Sequence, residues 1–161
     1  MKTKTVFLAL FTVLAGISFS ETISEIQGTK MYSSFENKVV KKVEGVVTAV
    51  KKNKNNNGFF MQSKKADNDF KTSEGIYVEN KSGIEVKVGD FIRVDGTVKE
   101  TYLSKPDKSQ PPVTSIEATK IKILKENEKI EPIIHTGKQI PKKVHNGNME
   151  TLDINNNAMD Y

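Results

Sequence analysis

From Lys38 to Leu124 the apolar residues recur with the period of strands, not of helices. Gly75-Ile76-Tyr77-Val78-Glu79 alternates cleanly, which puts Ile76 and Val78 on one face and Tyr77 and Glu79 on the other. Lys38 to Lys52 carries Val39, Val40, Val43, Val46, Val47 and Val50, β-branched residues that suit a pleated surface. Gly45 interrupts this run and predicts a bend or bulge in one long strand. A basic, asparagine-rich turn follows, then a second strand at Gly58-Phe59-Phe60-Met61-Gln62. A polar loop from Ser63 to Glu74 leads to the third strand at Gly75, and a turn at Asn80 to Gly83 closes it. The fourth strand spans Phe91 to Lys99, again with an internal glycine, Gly96. A loop with Lys105-Pro106 and Pro111-Pro112 precedes the fifth, Val113 to Leu124. Before all of these, Thr22 to Gly28 predicts a short helical turn with Thr22 or Ser24 as its cap and Gly28 as its end.

Five short strands, two with glycines inside them, predict an all-β domain that closes on itself. A glycine lets one strand bend sharply and serve both halves of a barrel, and closure removes exposed edges. The expected architecture is a five-stranded OB-fold barrel, with an up-and-down or SH3-like barrel as the alternative. No βαβ alternation is present, which argues against a nucleotide-binding α/β fold.

The two ends read differently. Met1 to Lys4 is positive, Val6 to Ile17 is apolar, and Ser18-Phe19-Ser20 precedes a polar start at Glu21. This is the pattern of a secretory signal, and its apolar run of about twelve residues falls short of the roughly 20 that span a bilayer. Residues 1–20 are therefore expected as a signal helix cleaved after Ser20. Residues 21–130 form the barrel domain. Residues 131–161 form a disordered linker or the start of a following domain, polar and asparagine-rich from Gly137 to Asn157. The expected location is periplasmic or secreted, with no membrane contact after cleavage.

Composition narrows the chemistry. The 161 residues include no cysteine and only two histidines, His135 and His145. That excludes a disulfide scaffold, a cysteine-ligated metal and a thiol nucleophile, and it leaves two solvent-exposed histidines where a metal site needs several convergent ligands. Asp67-Asn68-Asp69 has oxygen ligands at alternate positions but lacks the rest of a calcium loop, so it predicts a side-chain-capped turn. No acid–base dyad is visible, and no catalysis, cofactor or metal is expected of this chain. Net charge is +5, or +3 once Lys2 and Lys4 leave with the signal.

Several segments together carry a resemblance. Ile23 to Gly28, Val43 to Val50, Gly58 to Gln62, Thr72 to Val78 and Val88 to Val98 occur in an order that resembles the N-terminal OB module of secreted bacterial nucleases of the endonuclease/exonuclease/phosphatase superfamily. Pro132-Ile133-Ile134 and Ala158-Met159-Asp160-Tyr161 resemble the connection to that family's catalytic domain. The resemblance implies an exported accessory module for a metal-dependent nuclease. It also implies that the catalytic domain, with its divalent metal, lies outside this sequence, so that the chain is a fragment or a stand-alone remnant.

Barrels of this kind hold single strands on aromatic platforms flanked by positive charge. The candidate nucleic-acid face comprises Phe60 and Tyr77 as a stacking pair on adjacent strands, and Lys51, Lys52, Lys54, Lys64 and Lys65 at the edge of the same hairpin. Lys105 in the fourth loop and Arg93, the single arginine, as a phosphate fork, complete the set. Glu44, Glu74 and Glu79 lie near this face and oppose a polyanion. Expected partners are DNA or RNA and a downstream catalytic domain, with the chain itself monomeric. Two other readings remain open: a spacer or docking module with no ligand, and an independent periplasmic OB protein for a small cationic or sugar ligand.

Overall fold

A computed structural model describes residues 20–30, 32–53, 56–69, 71–102 and 112–132. Residues 1–19, which hold nearly all of the segment read as a signal, together with Lys54, Lys105, both histidines and the chain beyond Pro132 lie outside the described residues. Within them, the elements are α1 (Ile23–Gln27), β1 (Val39–Asn53), β2 (Asn56–Gln62), β3 (Gly75–Asn80), β4 (Phe91–Thr101) and β5 (Val113–Lys125).

The helix forms because both ends are satisfied locally. Thr22 accepts from the Glu25 N–H at 3.2 Å while the Glu25 carboxylate accepts from the Thr22 N–H at 2.8 Å, a reciprocal capping box. Gly28 ends it at φ 66°. Its inner residues, Ile23 and Ile26, are fully buried and close one end of the sheet.

The five strands form the expected OB-fold barrel, closed in the order β1-β2-β3-β5-β4 with β4 returning to β1. All pairs are antiparallel except β3–β5. Alternation sorts the side chains as the pattern predicts. Phe59, Met61, Ile76, Val78, Val94 and Ile116 fill the interior at 1% exposure or less, each contributing about 1.5–3 kcal/mol of apolar burial. The chain thus reaches a packed core without disulfides.

Two glycines permit close approach. A Cβ at Gly96 would run into the Glu117 carbonyl and the Ile116 side chain, and the β4–β5 register shifts between Asp95 and Gly96. A Cβ at Gly58 would occupy the place of the Tyr77 hydroxyl. Gly45 behaves differently from expectation. The β1 register shifts fall on either side of it, between Val40 and Val43 and between Val47 and Ala49. The first bulge is made by Lys42, at φ 59°, whose N–H donates to the Asp95 carboxylate at 2.7 Å. Gly45 instead makes room for α1, since a Cβ there would lie 3.2 Å from Ile23 Cδ1.

Residues after β5 do not leave the barrel at once. Glu128 N–H donates to the Gly89 carbonyl at 2.8 Å, and Gln62 Nε2 to the Glu131 carbonyl at 3.5 Å.

Candidate nucleic-acid interface

Register places two rungs on the outer wall of β1, β2, β3 and β5. One runs Ala49, Phe60, Tyr77, Ser115. The next runs Lys51, Gly58, Glu79, Glu117. Residues directly opposite share a face, so the aromatic pair and Lys51 lie on one wall. The Phe60 and Tyr77 ring centroids lie 5.1 Å apart with planes tilted by 52°, a favourable aromatic geometry.

The pair does not present two rings, however. Phe60 is partly exposed, but Tyr77 is 1% exposed. The bare Gly58 lets the phenol lie down across β2, where its hydroxyl is buried with no hydrogen-bond partner among the described residues. Burial, with the Glu79 carboxylate nearby, holds the Tyr77 phenol above its ordinary value. Tyr77 therefore serves as the backing of Phe60, not as a second stacking surface.

The cations divide in the same way. Lys51 and Lys65 are exposed and make no ion pair among the described residues. Lys52 meets Glu85 at 3.3 Å, and Lys64 meets Glu128 at 2.8 Å with its ammonium 4.9 Å from the Phe91 ring centroid. Arg93 stands on another face. It lies opposite Glu44 across β1–β4 and donates to Glu44 Oε1 from Nε at 2.9 Å and from Nη2 at 2.6 Å. Its guanidinium is already engaged, so a phosphate would have to compete with that carboxylate.

The acidic neighbours also sort themselves. Glu79 pairs with Lys81 at 2.5 Å, and that hydrogen bond raises the lysine's pKa. Glu74 is buried and accepts from the Asp67 N–H at 2.5 Å. Asp67 and Asp69 cap their own loop. The Asp69 N–H and the Thr72 hydroxyl donate to Asp67 at 2.7 and 2.9 Å, and the Lys71 N–H donates to Asp69 at 3.0 Å. Burial alone would raise the Asp67 pKa, but these hydrogen bonds outweigh it and hold the carboxyl below its ordinary value. The capped-turn reading thus accounts for this segment.

Sequence reasoning missed the small residues around Phe60 and Tyr77. Ala49 lies opposite the Phe60 ring, Gly58 two residues before it, with its open side filled by the Tyr77 phenol, and Ser115 opposite Tyr77; only the register reveals this arrangement. It also missed Glu128, whose one local signal is the i,i+3 spacing from Lys125. No protein-family model matches the chain, and no curated protein aligns with it.

Proposed function

We propose that this chain is an exported binding module that contacts single-stranded nucleic acid through the outer wall of β2–β3, as the accessory part of a secreted nuclease. The observation that supports this most is the setting of Phe60. One half-buried ring, backed by Tyr77 and opposite Ala49, has an ammonium one rung away, that of Lys51, which makes no ion pair among the described residues. A base stacked on such a ring gains about 1–3 kcal/mol. The adjacent cation meets the phosphate that follows. Unpaired bases are required, since a duplex keeps its faces stacked. The nuclease connection rests on the order of sequence segments described above and supplies no residue of this chain with a catalytic role.

A second reading, a spacer that holds a following domain, draws on the pinned segment after β5. Fluorescence anisotropy of the full-length chain with labelled single- and double-stranded oligonucleotides separates the two. The binding reading expects single-strand affinity that falls as salt rises. Absence of binding in low salt at high protein concentration leaves the spacer.

A further inference from the structure

The geometry points to Glu128 as a latch that pins residues 126–132 along the barrel and carries them to Gln62 of β2, on the strand that bears Phe60. β5 ends at Lys125, and Asn127, at φ 57°, turns the chain back. A left-handed backbone is tolerated by asparagine better than by most residues. The turn delivers Glu128 between two ammonium groups. Its carboxylate meets Lys64 Nζ at 2.8 Å and pairs also with Lys125 Nζ. Although both lysines are largely in solvent, the Glu128 side chain is only 10% exposed.

The backbone is held as well. The Glu128 N–H donates to the Gly89 carbonyl at 2.8 Å, and the Gly89 N–H donates to the Val47 carbonyl at 2.9 Å. The latch is thereby anchored to β1 through the β3–β4 loop. Three residues further on, Gln62 Nε2 donates to the Glu131 carbonyl at 3.5 Å. Gln62 and Phe60 are two apart on β2, so they share a face and lie about 7 Å apart along the strand. The Glu131 backbone is thereby held by the residue two positions from the proposed stacking ring. A following domain attached there is directed by the latch to the side of the barrel that carries Phe60. The latch itself does not depend on whether that ring binds nucleic acid.

Amide hydrogen exchange on the full-length chain, read by NMR, tests this. The Glu128 amide is expected to exchange at least about tenfold more slowly than an unprotected amide. In Glu128→Gln that protection is lost, while the amide of Val94 in the barrel keeps its own. Lys64→Met retains an apolar stem over Phe91, removes one of the two charges and gives a smaller loss; it supplies the same readout if Glu128→Gln does not fold. An unprotected Glu128 amide in the parent chain overturns the latch, as does full protection in both variants. Equal loss at Glu128 and Val94 overturns it too, because the residue then belongs to the global fold.

Discussion

The Phe60 wall and the Arg93 wall are parts of one barrel, yet they spend their side chains differently. Around Phe60 the register places Ala49 opposite a single partly exposed ring, with Tyr77 behind it, and Lys51 on the next rung makes no ion pair among the described residues. Around Arg93 the rungs are Glu44, Arg93, Lys122 and, next to it, the Lys42 bulge, Asp95, Lys120. There the polar groups answer one another: Arg93 donates twice to Glu44, and Asp95 accepts from the Lys42 N–H. Such charge pairing suits a solvated sheet face; Lys120 and Lys122 there are exposed and make no ion pair among the described residues, so what sets the Phe60 wall apart is its partly exposed ring and not its supply of cations. The lesson is that a lone arginine on a basic chain is weak evidence for a phosphate site until its cross-strand neighbour is known.

The largest expected effect comes from crowding the seam behind the Arg93 wall. Gly96→Ala drives a methyl into the Glu117 backbone, which cannot step aside, and should cost about 3 kcal/mol of stability. Gly58→Ala meets the end of a ring and should cost less, about 1–2 kcal/mol. Chemical denaturation of both variants compares the seam with the Phe60 wall, and a larger loss at Gly58 would reverse the ranking. Next is Phe60→Ala, which should weaken single-strand affinity by about 1–2 kcal/mol, roughly 5- to 30-fold. Arg93→Ala should leave that affinity within about twofold. Equal losses in a binding titration would merge the two walls into one site.

A smaller effect is expected at Tyr77. Its hydroxyl is buried without a partner among the described residues, so Tyr77→Phe should leave thermal stability unchanged or raise it by up to about 1 kcal/mol. A clear loss would mean that the hydroxyl is bonded in solution. Breaking the Glu44–Arg93 pair should change stability by less than about 1 kcal/mol, since both side chains are more than a third exposed.

The last contrast is one of pH. Hydrogen bonds from Lys125 and then Lys64 lower the Glu128 pKa from 4.5 to about 2. A depressed carboxylate pKa stabilises the folded form above the unfolded pKa and loses that contribution as pH falls through the folded one. The attachment of residues 126–132 should therefore be constant from neutral pH down to about 4.5 and weaken towards 2. Glu100 runs the opposite way. Burial raises its pKa against the opposing hydrogen bonds from the Ser33 N–H and the Thr114 hydroxyl. Its contribution is therefore present at low pH and lost as pH rises through its elevated value. NMR titration of the two carboxyls should show them moving apart from the ordinary glutamate range.

Much of the fold was legible because its causes are local. Thr22 and Glu25 have the spacing of a capping box, and period-two alternation assigned Phe59, Met61, Ile76 and Val78 to the interior. Gly96 marked a real close approach. What stayed hidden depends on register. Glu44 and Arg93 are 49 residues apart, and no pattern along the chain pairs them. Alternation put Tyr77 on the outer wall correctly, but could not show that Gly58 would let the ring lie flat and vanish from the surface. Gly45 looked like the bend, whereas a lysine at positive φ makes the bulge. The Phe60 wall was thus half readable: its ring and its lysine from the sequence, their neighbours only from the sheet.

The central claim is that the partner meets the Phe60 wall, and an NMR titration of the full-length chain with a short single-stranded oligothymidylate tests it directly. Amide shifts concentrated at Ala49, Lys51, Gly58 and Phe60, with Arg93 and Lys120 undisturbed, are the predicted result. Shifts centred on Arg93, or none anywhere in the barrel, would contradict it.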